Sequence, residues 1–318
     1  MLGFRRSLQL LIDASRRETE NEEFSDTIGI GNEEFIRYAN DAQKVLQSAI
    51  SGVYPMLLSQ EKIISSVVDQ EAYDIPDNAF LGNRIDNVEY SPSGRDDQYR
   101  KLKQGTLSER RSGISSTPSF YIRRSGQILL QPKPDTSQGK IRLTYQKQLP
   151  RLEIVRGYVS AVTLDSVNNQ ITSLTLDSTQ SIDKVELEQE TQLTVIDKNG
   201  VQKMRNVQFD EVDETTGIVT ITSGFTYEDG ETIAVGDSIV RGGDSTTHSE
   251  LPEMCEPFIT AYMNWKILKR DSSNDAVEMG QEVAALKAEI VQSFSTTDHD
   301  PDFIPILDDQ FLTPFDEF

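Results

Sequence analysis

Phe35-Ile-Arg-Tyr-Ala-Asn-Asp-Ala-Gln-Lys-Val-Leu46 places apolar side chains at three- and four-residue steps, and the run continues through Ala49 and Val53. Phe35, Ala39, Ala42, Leu46, Ala49 and Val53 then share one face of a helix over about 33–52. Asn32 is the N-cap candidate, Glu33 and Glu34 sit in the first turn where the helix dipole favours anions, and Gly52 is the stop signal. An earlier helix, about 4–19, carries Phe4, Leu8, Leu11 and Ile12 on one stripe, with Arg5, Arg6, Arg16 and Arg17 outside it. Glu18 to Asp26 is acidic and reads as a linker between the two. The helical period returns only near the other end of the chain. Pro257 suits a first turn, and Phe258, Ala261, Trp265 and Leu268 mark a helix over about 256–270. Ser273 caps a last helix, about 274–294, whose stripe is Ala276, Met279, Val283, Leu286, Ile290 and Phe294. Two helices that open the chain and two that close it predict one apolar hub with β parts hung from it.

The intervening β chemistry comes in two blocks. In the first, Ile63–Val68 is β-branched and apolar, and Gln70-Glu-Ala-Tyr-Asp-Ile-Pro76 ends in a proline turn. Arg84–Tyr90 reads as a strand with Ile85 and Val88 on different faces, and 91–118, rich in Ser, Gly, Arg and Asp, reads as a long loop. Phe120–Arg123, Gln127–Gln131 and Lys140–Gln146 are three more strands; Pro132-Lys-Pro-Asp135 and Gly139 separate the last two. Pro150 marks a boundary. From about 152 to 245 the chain reads as a small all-β module with candidate strands Tyr158–Leu164, Ile171–Leu176, Gln192–Ile196, Gly217–Thr222 and Asp237–Val240. Asn199-Gly200 is a tight-hairpin pair, and Asn168-Asn169, Thr216-Gly217 and Asp229-Gly230 supply other turns. A barrel is favoured over a sandwich. The expected class is therefore α+β: a helical bundle with a β excursion (1–150 with 246–294), an inserted barrel-like module (151–245) and an extended acidic C-terminal arm (295–318).

Charge bounds the function. The 318 residues carry 31 Lys+Arg against 52 Asp+Glu, a net −21, which disfavours general affinity for nucleic acid. The distribution is uneven. Residues 95–147 hold twelve Lys/Arg against four acids, whereas 295–318 hold seven acids and no Lys or Arg. A basic middle and an acidic tail can meet between copies. Arg95, Arg100, Lys101, Lys103, Arg110 and Arg111 are the candidate basic contacts; apart from Tyr99 they lack the interleaved aromatics of a single-strand platform, so acidic protein surface is the better partner. In the tail, Phe303, Ile304, Ile306, Leu307, Phe311, Leu312, Phe315 and Phe318 are spaced among Pro301, Pro305, Pro314 and acids. Such a segment cannot bury its own apolar surface and reads as an arm that gains order on a partner.

Catalytic chemistry is sparse. The two histidines are His248, a loop or capping residue, and His299, in the acidic Asp298-His-Asp300. No Gly-x-Ser-x-Gly, Walker-type loop or dinucleotide fingerprint is present. Asp210-Glu-Val-Asp-Glu214 and Glu228-Asp-Gly-Glu231 look like acidic turns but lack the spacing of a calcium loop. The lone Cys255 excludes an internal disulfide framework, fits a reducing compartment during assembly, and reads with Trp265 as core. No apolar run approaches the ~20 residues of a membrane span, and Met1 to Arg6 opens no secretory signal. The expectation is no enzyme, no cofactor, no metal and no membrane.

In their order, several stretches resemble the head-to-tail adaptor (head completion or connector) proteins of tailed bacteriophages, especially short-tailed ones. They are the helix Phe35–Leu46, the turn Ala72-Tyr-Asp-Ile-Pro76, the pair Ser119-Phe-Tyr-Ile-Arg123 and Gly126-Gln-Ile-Leu-Leu-Gln-Pro132, Ile141-Arg-Leu-Thr-Tyr145, and Leu251-Pro-Glu-Met-Cys-Glu256. The resemblance covers about 30–150 and 245–294; the module at 152–245 departs from the smaller family members. It implies a homo-oligomeric ring, usually of twelve copies, between the portal protein and the tail nozzle or tube, with tail fibres as further partners. Double-stranded DNA would be passing cargo only, and the location the head–tail junction of a virion assembled in the host cytoplasm. A competing expectation is a receptor- or glycan-binding accessory tail protein whose module offers Tyr158, Phe209, Phe225 and Tyr227.

Overall fold

The four helices meet. A computed structural model describes residues 6–19, 30–80, 85–110, 113–165, 170–177, 191–213, 215–222 and 233–297. In it α1 (Leu8–Glu18), α2 (Asn32–Val53), α3 (Glu256–Arg270) and α4 (Ala276–Thr297) share one core. α3 packs on the other three. Leu11 and Ile12 of α1, Phe35, Leu46 and Ile50 of α2, Phe258, Met263 and Ile267 of α3, and Ile290 and Phe294 of α4 are all buried there. Polar ties bind the distant ends: the Leu8 N–H donates to the Thr247 carbonyl at 2.8 Å, and Arg6 pairs with Glu256 at 2.8 Å. Within the α1–α3 contact the buried Asn264 accepts from the Ser15 hydroxyl and donates to Glu18.

Several local expectations need correction. α3 has no single stripe: Ile259, Tyr262 and Met263 are buried with Phe258 and Ala261, while Trp265 and Leu268 are only half-buried. A helix with three helical neighbours buries most of its circumference. The N-cap of α2 is Gly31; Asn32 is already helical, and its side chain accepts from Arg16 instead. Gly52 avoids the left-handed conformation by which glycine ends a helix, so α2 runs on to Val53. Ala49 and Val53 are half-buried, whereas Gln43 and Gln47 are buried. The proposed stripe was too narrow because α2 is covered on a second side.

The first β block is a two-sheet sandwich. One sheet has the order β1 (Ser59–Ser65), β8 (Lys140–Gln146), β3 (Ile85–Ser91), β4 (Arg100–Lys101); the other has β2 (Ala72–Asp74), β7 (Gln127–Gln131), β6 (Phe120–Arg124), β5 (Lys103–Gln104). Tyr73, Tyr121, Ile128 and Leu130 face Val88, Tyr90, Ile141 and Leu143 between them. β1 begins four residues before the expected Ile63, and Val67 and Val68 fall beyond its end, exposed. Ile85 and Val88 both point inward because a bulge shifts the register between Ile85 and Asn87. The supposed loop 91–118 contains β4 and β5, one short run that crosses from sheet to sheet about the buried Leu102, whose N–H donates to the Val88 carbonyl at 2.8 Å.

The second β block is a closed barrel with neighbours in the order β10 (Gly157–Leu164), β11 (Ile171–Asp177), β14 (Ile218–Ile221), β13 (Gln202–Asp213), β12 (Gln192–Ile196), β15 (Ser238–Arg241), and β15 pairs back onto β10. Val159, Leu174, Leu193, Val195, Val207, Val212, Val219 and Ile239 fill it. β13, the 12-residue strand, went unforeseen; Asp210–Asp213 belong to it rather than to an acidic turn. Its burial skips from Phe209 to Val212 across a bulge, so strict alternation is lost. At Asn199-Gly200 the turn is built by Asp197, whose carboxylate accepts from the Asn199 and Val201 N–H groups at 2.8 Å each. Phe4, most of the 18–26 linker, Asn168-Asn169, Asp229-Gly230, Glu228–Glu231, His299 and the arm from 298 lie outside the described residues.

What fixes the β blocks to the hub is a row of amides on α2. The chain from 147 to 152 runs antiparallel beside that helix. Asn40 exchanges two hydrogen bonds with the Leu152 backbone at 2.8 Å each, Gln43 donates to the Pro150 carbonyl at 2.8 Å, and Gln47 donates to the Lys147 carbonyl at 2.8 Å. Gln43 also accepts from the buried Ser249 hydroxyl at 2.7 Å. The barrel's entry and exit then form a two-stranded parallel stem, β9 (Arg151–Leu152) with β16 (Ser245–Thr246). Gln43→Leu keeps the volume but strands a buried carbonyl and a buried hydroxyl. Urea unfolding should show a loss of about 1–3 kcal/mol.

Candidate assembly interface

Four of the anticipated cations sit on or beside the run that crosses the sandwich. β4 pairs antiparallel with Tyr90 and Glu89, and β5 pairs parallel with Phe120 and Tyr121, so Arg100, Lys101 and Lys103 project from exposed edges. Arg95 is exposed just before them. Among the described residues none of these four makes an ion pair. Arg110 is different: its guanidinium grips Glu71 through two hydrogen bonds of 2.7 Å. That contact, against a smaller opposing effect of burial, holds the Glu71 carboxyl below the ordinary carboxylate value. Arg110 therefore staples the sandwich and is not a free contact. Arg111 and Phe303, Ile304, Ile306, Leu307, Phe311, Leu312, Phe315 and Phe318 lie outside the described residues. Arg142 lies 3.8 Å above the Tyr99 ring and takes one of its two stacking faces.

The same end of the sandwich exposes apolar side chains. Val67, Val68, Leu107 and Ile114 are each about half exposed on ordered turns: Asp69 accepts from Ser115, and the Lys133 N–H donates to the Ile114 carbonyl at 3.2 Å. Singly exposed apolar residues are ordinary; a group on a pinned turn marks a contact surface. An open groove of about 990 Å³ runs along the outer face of α2, lined by Glu34, Arg37, Asp41, Lys44, Phe80 and Arg151. Its mixed charges suit a polar protein surface better than a small apolar ligand.

Between hub and barrel lies an ionic cluster whose members are far apart in sequence and share no motif. Arg241, with 3% of its side chain exposed, reaches the fully buried Glu153 at 3.1 Å and also Glu33 at the start of α2. Arg156 bridges the same two carboxylates, at 2.9 Å to Glu153. Burial opposes the Glu33 charge, but hydrogen bonds from Arg241 and Arg156 outweigh it and lower its pKa. A buried cluster of this kind fixes geometry more than it adds net stability. It sets how the barrel stands on the hub.

Among the described residues, His248 and Cys255 are not set in a catalytic arrangement. Burial lowers the His248 pKa; the ring contacts the Thr247 hydroxyl at 2.8 Å and abuts Gly200. Burial pushes the Cys255 thiol up to about 12, so it is an inert apolar group. No cluster of metal-ligating residues occurs among the described residues. Of the module's aromatics, Tyr158 is exposed and Phe209 is buried in the barrel, while Phe225 and Tyr227 lie outside the described residues. Among the described residues the module therefore exposes one ring, a poor platform for a sugar.

Residues 6–178 match the family model for the SU10 adaptor protein. The chain belongs to that family. The match covers more than half the sequence, from α1 through the sandwich into the first two barrel strands, and identifies a structural adaptor of bacteriophage. No curated protein matches the chain. The family's role rests on assembly, which agrees with surfaces rather than a reaction centre.

Two outcomes follow from the ionic cluster. Arg241→Met leaves Glu153 buried opposite one fewer cation; chemical denaturation should report a loss of about 3–5 kcal/mol, the usual consequence of unpairing a buried charge. Glu33 has a folded pKa below its unfolded value. Its contribution is thus complete above the ordinary value of about 4.3 and is lost as pH falls through the lower folded value. Limited proteolysis at pH 7 and at about pH 3 should show the stem opening at the acid end, and less pH dependence in Glu33→Gln.

Proposed function

We propose that this adaptor forms a ring, of twelve copies, that joins the portal to the tail nozzle or tube and continues the DNA channel. The observation that carries the reading is the hub: helices from both ends of the chain fold against one another in a chain that belongs to an adaptor family. A self-contained hub leaves the sandwich, the stem-borne barrel and the acidic arm free to reach neighbours. Copies in a closed ring meet head to tail, so each must carry two complementary surfaces. Arg95, Arg100, Lys101 and Lys103 on one side and the acidic, apolar residues 303–318 on the other are such a pair. The barrel module (151–245) then stands on the ring's outer collar, where tail fibres would attach.

The net charge of −21 suits a conduit, because an anionic wall repels the duplex it passes. At physiological salt that repulsion reaches only about 8 Å, enough at a channel wall and too little to act on DNA at a distance. The reading needs no enzyme activity, and the location it implies is the head–tail junction of a particle assembled in the host cytoplasm. Mixing the purified protein with its portal should give a stacked complex whose cryo-EM class averages show a second ring coaxial with the first. Failure to co-sediment with portal at micromolar concentrations, with the adaptor folded, would overturn it.

A further inference from the structure

The sandwich carries an open sheet edge. β1 pairs only with β8, in the register Ser59↔Gln146 through Ser65↔Lys140. The Ser66 N–H donates to the Gly139 carbonyl at 2.8 Å, and the Lys147 N–H to the Leu58 carbonyl at 2.9 Å. In an antiparallel ladder the bonded pairs alternate, so the even-numbered residues from 58 to 66 turn their backbone groups toward β8. Glu61, Ile63 and Ser65 turn theirs outward. Among the described residues no backbone partner meets them. The strand has no bulge or proline to blunt it. Its apolar side chains continue the edge: Ile63 is 53% exposed, and Val67 and Val68 follow at 51% and 46%. Lys62 and Lys140 are exposed beside it, as is Glu61.

We propose that this edge is a docking site for the C-terminal segment of a neighbouring copy, which adds to the sheet as a further strand. Three features select that occupant. The 21 residues from 298 to 318 hold seven acids, eight large apolar side chains and no Lys or Arg, which suits an apolar edge where Lys62 and Lys140 outnumber Glu61. Ile306–Thr313 is an eight-residue run free of proline between Pro305 and Pro314, long enough to lie against all seven residues of β1. The segment leaves α4 where Phe294 stacks on Tyr54, ring centroids 6.4 Å apart, and its extended length of about 70 Å spans to an adjacent protomer. Backbone bonds then supply affinity, and Ile63, Val67 and Val68 supply selectivity.

The donor's being a neighbour rests on the ring reading; the docking chemistry does not, and the test separates them. A peptide of residues 298–318 is titrated into protein truncated after Thr297. Binding should weaken as salt rises, and the Glu61, Ile63 and Ser65 amides should exchange at least about tenfold more slowly with peptide bound. Ile63→Pro removes only an outward N–H, so the ladder to β8 survives while peptide affinity falls at least about tenfold. Gln310→Pro within the peptide makes the same test without touching the protein. No binding, or binding that both proline variants leave intact, overturns the proposal even where the portal complex forms. Slow exchange of the β1 amides in the full-length protein that does not change on dilution, marking a contact within one chain, overturns the neighbour as donor.

Discussion

The row of amides on α2 is the constraint on which the architecture turns. Asn40, Gln43 and Gln47 treat the passing chain from 147 to 152 as a helix would treat a strand that had no sheet to join, satisfying its carbonyls one after another. Burying that backbone unpaired would cost roughly 1–3 kcal/mol per group. Because the amides meet it, the sandwich's last strand can run straight into the barrel's stem across the side of the hub.

Two devices then set relative position with little apolar area. The stem pairs the barrel's entry with its exit, and the ionic cluster of Arg241 and Arg156 with Glu153 and Glu33 anchors the barrel's last strand to the first turn of α2. Charges so deeply buried tolerate few geometries, since any shift leaves one unpaired at a cost of several kcal/mol. Directional contacts fix the angle between an adaptor's parts better than an apolar interface, which can slide.

Surface chemistry follows from the same division. With internal needs met by the three cores, acids outnumber Lys and Arg over the chain, and Arg95, Arg100, Lys101 and Lys103 stand exposed on the sandwich. The sandwich also exposes Ile63, Val67, Val68, Leu107 and Ile114 and keeps a strand edge open. A net charge of −21 is screened within about 8 Å at physiological salt, so it opposes close approach of like surfaces unless local, directional contacts offset it. The open edge meets that requirement.

The sequence by itself determined the helical period at both ends, the two β blocks between them, and the absence of any catalytic motif. Those are local properties, written in the spacing of Phe35 to Leu46 or of Val283 to Phe294 and in which residues are missing. It could not show that Gln43 and Gln47 are buried, because a glutamine facing a backbone and one facing water look the same in a pattern. β13 escaped since a bulge breaks its alternation, and β4 and β5 escaped since strands of two residues have no period to read. Arg110 and Arg100 are alike as letters; only the fold gave one of them Glu71. Tertiary structure alone brought Glu33, Glu153, Arg156 and Arg241 together, for the pairing of charges as far as 208 residues apart depends on where the helices and barrel place them.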